Sequence, residues 1–338
     1  MCNIAGYAGN QQAAPILLEM LRKQAPYDGD MSTCVVTIYE GKLYSKKIVG
    51  DVDDFLRAFD LNELPGTVGI AHTRPVGDKN FPAAHPNFNP EGTMAIVTNG
   101  TRITTYQSEW AKAAVMINEN GYDYPIPEND LSKVGNSPKL RIRVVDYYMK
   151  QGCSITEALV RSADHVYTDN VSVIVDQNHP DSIFAVRTTR PMFVVLENGE
   201  AHMATTRYAF PEELKNEPIM LPLANACVIT KDGIRITDDR MQGEPVEEMS
   251  PYTYAEAYRR FEVLLRSPEG PFYFDELEWA VGREMRDLWP NDRTLIQHAR
   301  LVYDMLWQFD KEGRLKREMR LQDHPHGQRH RWYFRLED

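Results

Sequence analysis

Met192-Phe-Val-Val-Leu-Glu-Asn-Gly199 is the stretch on which the fold turns. Its apolar run ends in Asn-Gly, a pair that readily takes the two positive-φ positions of a tight hairpin, so an antiparallel partner strand should follow at once. Asp232-Gly233, placed after the run Ala226–Thr230, repeats the signal. Working outward, Ser32–Tyr39, Thr67–Thr73, Thr93–Thr98, Val171–Asp176 and Ile183–Val186 are rich in Val, Ile and Thr and bounded by turn residues, which predicts further strands. Ala13–Lys23 and Gln107–Asn118 carry apolar residues three and four apart and read as helices. Ser137-Pro138 opens another helix running to about Lys150, and Ser154-Ile-Thr-Glu157 has the spacing of a capping box. Strands and helices come in blocks instead of strict alternation. That predicts an α+β fold with mostly antiparallel sheet, not a doubly wound parallel one.

The texture changes across Asp238–Pro251, an acidic stretch without periodicity that contains two prolines. The expected division is therefore a first domain over residues 1–245 and a second over 251–338. In the second, Thr253-Tyr-Ala-Glu256 is expected to cap a helix, Asp275-Glu-Leu-Glu278 to start a shorter one, and Asp292–Glu312 to form a long one ended by Gly313. A hairpin turning near His324–Gly327 then closes the chain. Three helices followed by a hairpin is a winged-helix-like order.

Of the 338 residues, 42% are hydrophobic and 26% charged, which excludes wholesale disorder. A net charge of −11 argues against nucleic acid as a partner, because phosphate contacts need clustered positive charge. The long C-terminal helix supports this, since it mixes Asp292, Asp304, Asp310 and Glu312 with Arg293, Arg300 and Lys311. Protein docking or a homo-oligomer contact, through aromatics such as Trp332 and Tyr333, is the expected use of the second domain. No membrane-length apolar run and no secretory leader is read in the sequence, and four scattered cysteines make neither a disulfide framework nor a zinc site. A cytoplasmic protein with reduced thiols is expected, with no cofactor and no metal; His324, His326 and His330 at a hairpin tip lack the spacing of a metal centre.

Cys2 carries the most chemical information. Once Met1 is removed, residue 2 brings a thiol and a free α-amine together, a nucleophile and a base on one amino acid. Ala71-His72-Thr73-Arg74 places a guanidinium just past an apolar strand, where its fork can hold a carboxylate by two bonds. Thr98-Asn99-Gly100 ends another strand, and an Asn amide next to a Gly N–H is a candidate oxyanion hole.

Taken jointly, Cys2-Asn-Ile-Ala-Gly6, Tyr27-Asp28, Gly69-Ile-Ala-His-Thr-Arg74, His85-Pro86 and Asn99-Gly100 resemble the class II glutamine amidotransferase domain of the N-terminal-nucleophile (Ntn) hydrolases. Within that family the chain is most like the glutaminase half of glucosamine-6-phosphate synthase, and the likeness extends over roughly residues 2–240. The resemblance implies a four-layer αββα sandwich. It also implies that Cys2 attacks the side-chain amide of glutamine, or of a related small-molecule substrate. Asn99 and Gly100 would stabilise the oxyanion, and Arg74, with its neighbours His72 and Thr73, would bind the substrate. Ammonia would leave and glutamate would follow by hydrolysis of a thioester.

The departures are as informative. Asn3 stands where the family has Gly, which is expected to narrow the space beside the thiol. Arg74-Pro-Val-Gly-Asp78 replaces the family's lid-loop Trp and Thr-His. Asn136 falls where the family has an Asp that pairs with the substrate ammonium, leaving Glu128 or Asp130 as substitutes. Residues 251–338 are too short for the acceptor portions of the synthases, so ammonia is expected to meet a separate synthase subunit. The rival reading is a catalytically weakened binding or regulatory module of the same fold, acting through its C-terminal domain.

Overall fold

The computed structural model describes residues 2–74, 84–101, 107–126, 137–243, 248–288, 297–323 and 328–337. From the amino terminus the chain forms β1 (Asn3–Ala8), α1 (Ala13–Gln24), β2 (Ser32–Tyr39), β3 (Lys42–Val49), α2 (Val52–Ala58) and β4 (Val68–Arg74). Next come β5 (Asn87–Phe88), β6 (Met94–Thr101), α3 (Gln107–Glu119), α4 (Ser137–Lys150) and α5 (Ile155–His165). β7 (Asp169–Asp176), β8 (Ile183–Arg187), β9 (Phe193–Glu197), β10 (Glu200–Ala204), β11 (Ile219–Met220), β12 (Asn225–Thr230) and β13 (Gly233–Arg240) follow. The C-terminal part holds α6 (Pro251–Leu265), β14 (Phe272–Tyr273), α7 (Phe274–Glu284), α8 (His298–Lys311), β15 (Leu315–Gln322) and β16 (Arg329–Leu336).

Two antiparallel sheets stack face to face. The first has the order β11-β9-β10-β1-β4-β2-β3 and the second β13-β12-β8-β7-β6-β5. Period-2 alternation builds three apolar layers from the same strands. Val36, Ile70, Val97, Val173 and Val194 fill the space between the sheets. Their neighbours Val35, Ala71, Phe193 and Val195 turn outward against α1 and α2, while Ile96, Ile174 and Val186 turn outward against α4 and α5. Both sheets are covered on both faces over most of their area, which is why their strands read as near-continuous apolar runs. Each fully buried Val or Ile contributes about 1.5–3 kcal/mol.

The first hairpin forms as its turn residues dictate: Asn198 and Gly199 have φ of 54° and 71° and join β9 to β10. The second differs. Thr230 pairs with Gly233, so the turn is Lys231-Asp232 and the glycine belongs to the strand. Ser154 caps α5 by accepting from the Glu157 backbone N–H at 3.1 Å, but the Glu157 side chain reaches Arg161 instead of completing a box. Asp238–Arg240, taken in the sequence as the start of a linker, closes β13 opposite Asn225.

α6, α7 and α8 pack around Phe261, Leu277, Val302, Leu306, Phe309 and Phe334, with a three-stranded sheet in the order β14-β16-β15. α6 begins earlier than expected, because Ser250 caps it and Pro251 sits at its first position; Thr253 donates its N–H to the Ser250 hydroxyl. The described part of α8 starts at His298, with residues 289–296 and the hairpin tip 324–327 outside the described residues. Trp332 and Tyr333 are half-buried.

This part sits on the sheets through specific bonds. Tyr27 belongs to its core and stacks on Phe334 at 5.8 Å. The Trp332 N–H donates to the Pro26 carbonyl at 2.9 Å. Arg331 forks onto Asp30 at 2.9 and 3.0 Å.

Candidate active site

β1 is flanked by β10 and β4 and buried along its whole length. Asn3 lies opposite Thr73 of β4, so the register carries residue 2 to the side of Arg74 at the end of that strand. Cys2 is half-buried. Asn3 is fully buried, and its amide donates to the Asp28 carbonyl and, at 3.3 Å, to the Thr73 hydroxyl. The residue expected to crowd the thiol thus ties β1 to β4 and to the Tyr27–Asp30 segment.

β6 packs across from β1 and β4 in the facing sheet. It does not stop at Thr98; it runs through Asn99-Gly100 to Thr101, paired with Val171, Asn170 and Asp169 of β7. Asn99 is 1% exposed, and neither its Nδ2 nor its Oδ1 has a hydrogen-bond partner among the described residues. An orphaned buried amide costs about 1–3 kcal/mol, so its retention calls for an explanation. Asn99 lies on the strand that packs across from β1 and β4. Gly100 is required sterically: a Cβ there would lie 2.0 Å from the Asp169 carbonyl oxygen and 2.4 Å from the Asn170 Cβ.

His72 and Thr73 come to the same place but hold the frame. The His72 Nε2 bonds the Thr98 carbonyl at 3.1 Å, immediately before Asn99. The Thr73 hydroxyl accepts from Asn3. His85 lies 4.1 Å from His72, ring centre to ring centre. Burial drives the pKa of His72 well below its ordinary value and that of His85 down to about 3, so both rings are neutral at pH 7. Asn136 falls outside the described residues, as do Glu128, Asp130 and the segment 75–83.

Four residues that the sequence did not single out complete the surroundings. Arg190 follows β8, is 5% exposed, and pairs with Asp169 of β7 and Glu278 of α7, each at 2.7 Å. Thr189 donates to the other oxygen of Asp169. Burial raises the Cys2 thiol pKa, while the Arg74 and Arg190 guanidinium groups act to lower it. Burial also lifts the Asp169 carboxyl to about 6, against the pull of Arg190. No local pattern marks these residues; 88 positions separate Arg190 from Glu278.

The arrangement places a thiol beside one guanidinium able to hold a carboxylate, and an open amide donor on the facing strand. Among the described residues no group of three or more His, Cys, Asp or Glu forms a metal site, and no helix is long and apolar enough to cross a membrane.

Comparison with known proteins agrees with this geometry. No protein-family model matches the chain. Over 242 residues, 70% of its length, it is 30% identical to the isomerizing glutamine–fructose-6-phosphate aminotransferase of Caldanaerobacter subterraneus subsp. tengcongensis. Over 252 residues it is 28% identical to the same enzyme of Clostridium perfringens. The chain spans only 37% and 38% of those proteins. Among solved structures, the glutamine phosphoribosylpyrophosphate amidotransferase of B. subtilis superposes with a TM-score of 0.60 at 12% identity, covering 78% of this chain and 58% of that one, and shares the fold. The chain therefore carries a class II glutamine amidotransferase domain, similar to the part of those aminotransferases that it matches.

Proposed function

We propose that the chain hydrolyses the side-chain amide of glutamine through Cys2 after removal of Met1. The thiol sulfur adds to the amide carbon, and its proton passes to the α-amine of the same residue. Asn99 Nδ2 and the Gly100 N–H hold the oxyanion, and Arg74 holds the substrate α-carboxylate. The carbon–nitrogen bond then breaks and ammonia leaves with the transferred proton. Water cleaves the thioester, releasing glutamate and restoring the thiol. A thiol pKa raised by burial keeps the group neutral at pH 7, so the attack needs a base, and the amine supplies one with a reference pKa near 8.

The observation that carries this reading is Asn99: a buried amide with both polar atoms unengaged among the described residues, on the strand facing Cys2 and Arg74. We read the C-terminal helices and hairpin as a winged-helix-like unit, because β14 pairs with β16 after the order helix, strand, helix, helix, hairpin. Its bonds to Asp30, Pro26 and Arg190 support docking onto its own chain in place of DNA binding. A synthase that accepts the ammonia is the partner we propose, and four unpaired thiols fit a cytoplasmic setting.

Incubation with 6-diazo-5-oxo-norleucine, followed by intact-mass and peptide analysis, tests the proposal. The expected product is a chain lacking Met1 and carrying one adduct on Cys2, with glutaminase turnover abolished in Cys2→Ala. A folded, unlabelled chain with no turnover would replace this reading with that of a regulatory module.

A further inference from the structure

Arg190 is gripped from two directions. Asp169 approaches from β7, the strand paired to Gly100 and Thr101. Glu278 approaches from α7 in the C-terminal part. The Asp169 end is rigid, because its second oxygen takes the Thr189 hydroxyl. The Glu278 end is set by helix packing: one turn further along α7, Gly282 lies so close to the His298 ring that a Cβ would stand 2.8 Å from its Cε1. A long guanidinium side chain with one anchor can rotate; with two anchors on opposite walls it is confined. The confined group lies at the Gly100 end of β6, because its partner Asp169 stands opposite Thr101 in the β6–β7 pairing, and its positive charge acts to lower the Cys2 thiol pKa.

We propose that Glu278 is a positioning residue of the Cys2 site: its carboxylate fixes the Arg190 guanidinium on Asp169, at the Gly100 end of β6, so the C-terminal helices complete a centre otherwise built by the two sheets. The inference rests on Cys2 being the nucleophile. Glu278 acts through Arg190, offsetting part of its positive charge and setting its place. Arg190 in turn favours the thiolate that must form during attack. Without Glu278, Arg190 would keep Asp169 and lose the carboxylate that reaches it from the C-terminal helices.

The test is the pH dependence of Cys2 alkylation by iodoacetamide in the full chain, followed on the Cys2 peptide by mass spectrometry. Glu278→Gln keeps the shape and removes the charge. Arg190 then stays on Asp169 with less of its charge offset, and the alkylation midpoint should fall by about half a pH unit or more. Glu278→Ala, which releases the guanidinium, should lower glutaminase kcat/KM about tenfold or more, with partial recovery in Glu278→Asp. Glu284→Gln, on the exposed end of α7, is the control and should keep the parental midpoint. If Glu278→Gln keeps the parental midpoint, the proposal is overturned, whatever happens to thermal stability. If Glu278→Ala fails to fold, the isosteric Gln variant alone decides. A midpoint shift in a chain that never turns over glutamine would sustain the positioning role and defeat the proposed reaction, so the two failures are distinguishable.

Discussion

The proposed site has two halves built by different means. Cys2, Arg74, Asn99 and Gly100 are presented by adjoining strands of two stacked sheets, where backbone register fixes each residue. Arg190 and the Tyr27–Asp30 segment are instead fixed by side-chain ion pairs reaching in from α7 and β16. Register is cooperative and tolerates loss of one side chain; a buried ion pair depends on both partners. The two halves should therefore fail differently, stability first on one side and chemistry first on the other.

The largest effect is expected at Arg331, which is 4% exposed and forks onto Asp30 while also donating to the Ala25 carbonyl at 3.0 Å. Arg331→Ala removes the two short bonds to the buried Asp30 carboxylate and leaves it the longer Arg329 contact at 3.5 Å, and should destabilise the chain by about 3 kcal/mol, read as a shift in urea midpoint. The double change Arg331→Met with Asp30→Asn should recover most of that loss, since a neutral pair has no charge to desolvate. An Arg331→Ala chain as stable as the parent would show that the C-terminal part is not clamped here.

Asn99→Ala should do the opposite. Turnover should fall about 100-fold, equivalent to about 3 kcal/mol of barrier, with little change in KM. Stability should hold or rise slightly, because the change deletes an amide with no internal partner among the described residues. Lost stability with retained turnover would make Asn99 a structural residue and break the contrast between the halves.

The same contrast governs what the sequence made legible. The sheet half was readable because short apolar runs, turn pairs and the Cys2, Arg74 and Asn99-Gly100 positions are local features. Even there, propensity misled at Asn99-Gly100, a turn-like pair that pairing with β7 holds inside a strand. β1 itself was not read as a strand; its six residues are buried throughout, so no polar alternation marks them. At α6, Pro251 was read as part of a linker and proved to be the first residue of the helix. The ion-paired half was illegible, since Arg190 with Glu278 and Asp30 with Arg331 meet only after the whole chain has folded. Charge counts could not show it either, because a net charge of −11 says nothing about which carboxylates meet which guanidinium groups.

Acid provides the gentlest probe and reaches both halves. Burial depresses His85 to about 3 and His72 well below its ordinary value in the sheet half, and His298 to about 4 in the C-terminal half. In the unfolded chain these rings take up protons near pH 6.5. A depressed folded-state pKa contributes stability that is present above 6.5 and is lost as the pH falls toward the folded value. Asp169 works the other way: with its folded pKa raised to about 6, it favours the folded chain more as the pH falls from 6 to 4. Three rings outweigh one carboxyl, so stability should decline from pH 6.5 to pH 4. His85→Asn, whose amide can still donate to the Ile96 carbonyl that the ring contacts at 3.4 Å, should flatten the decline by about 1 kcal/mol per pH unit. Urea midpoints at pH 7, 6 and 5 measure it. A slope unchanged in His85→Asn but flattened in His298→Asn would place the acid sensitivity wholly at the helix that supplies Glu278's neighbour, making the C-terminal half the weaker of the two.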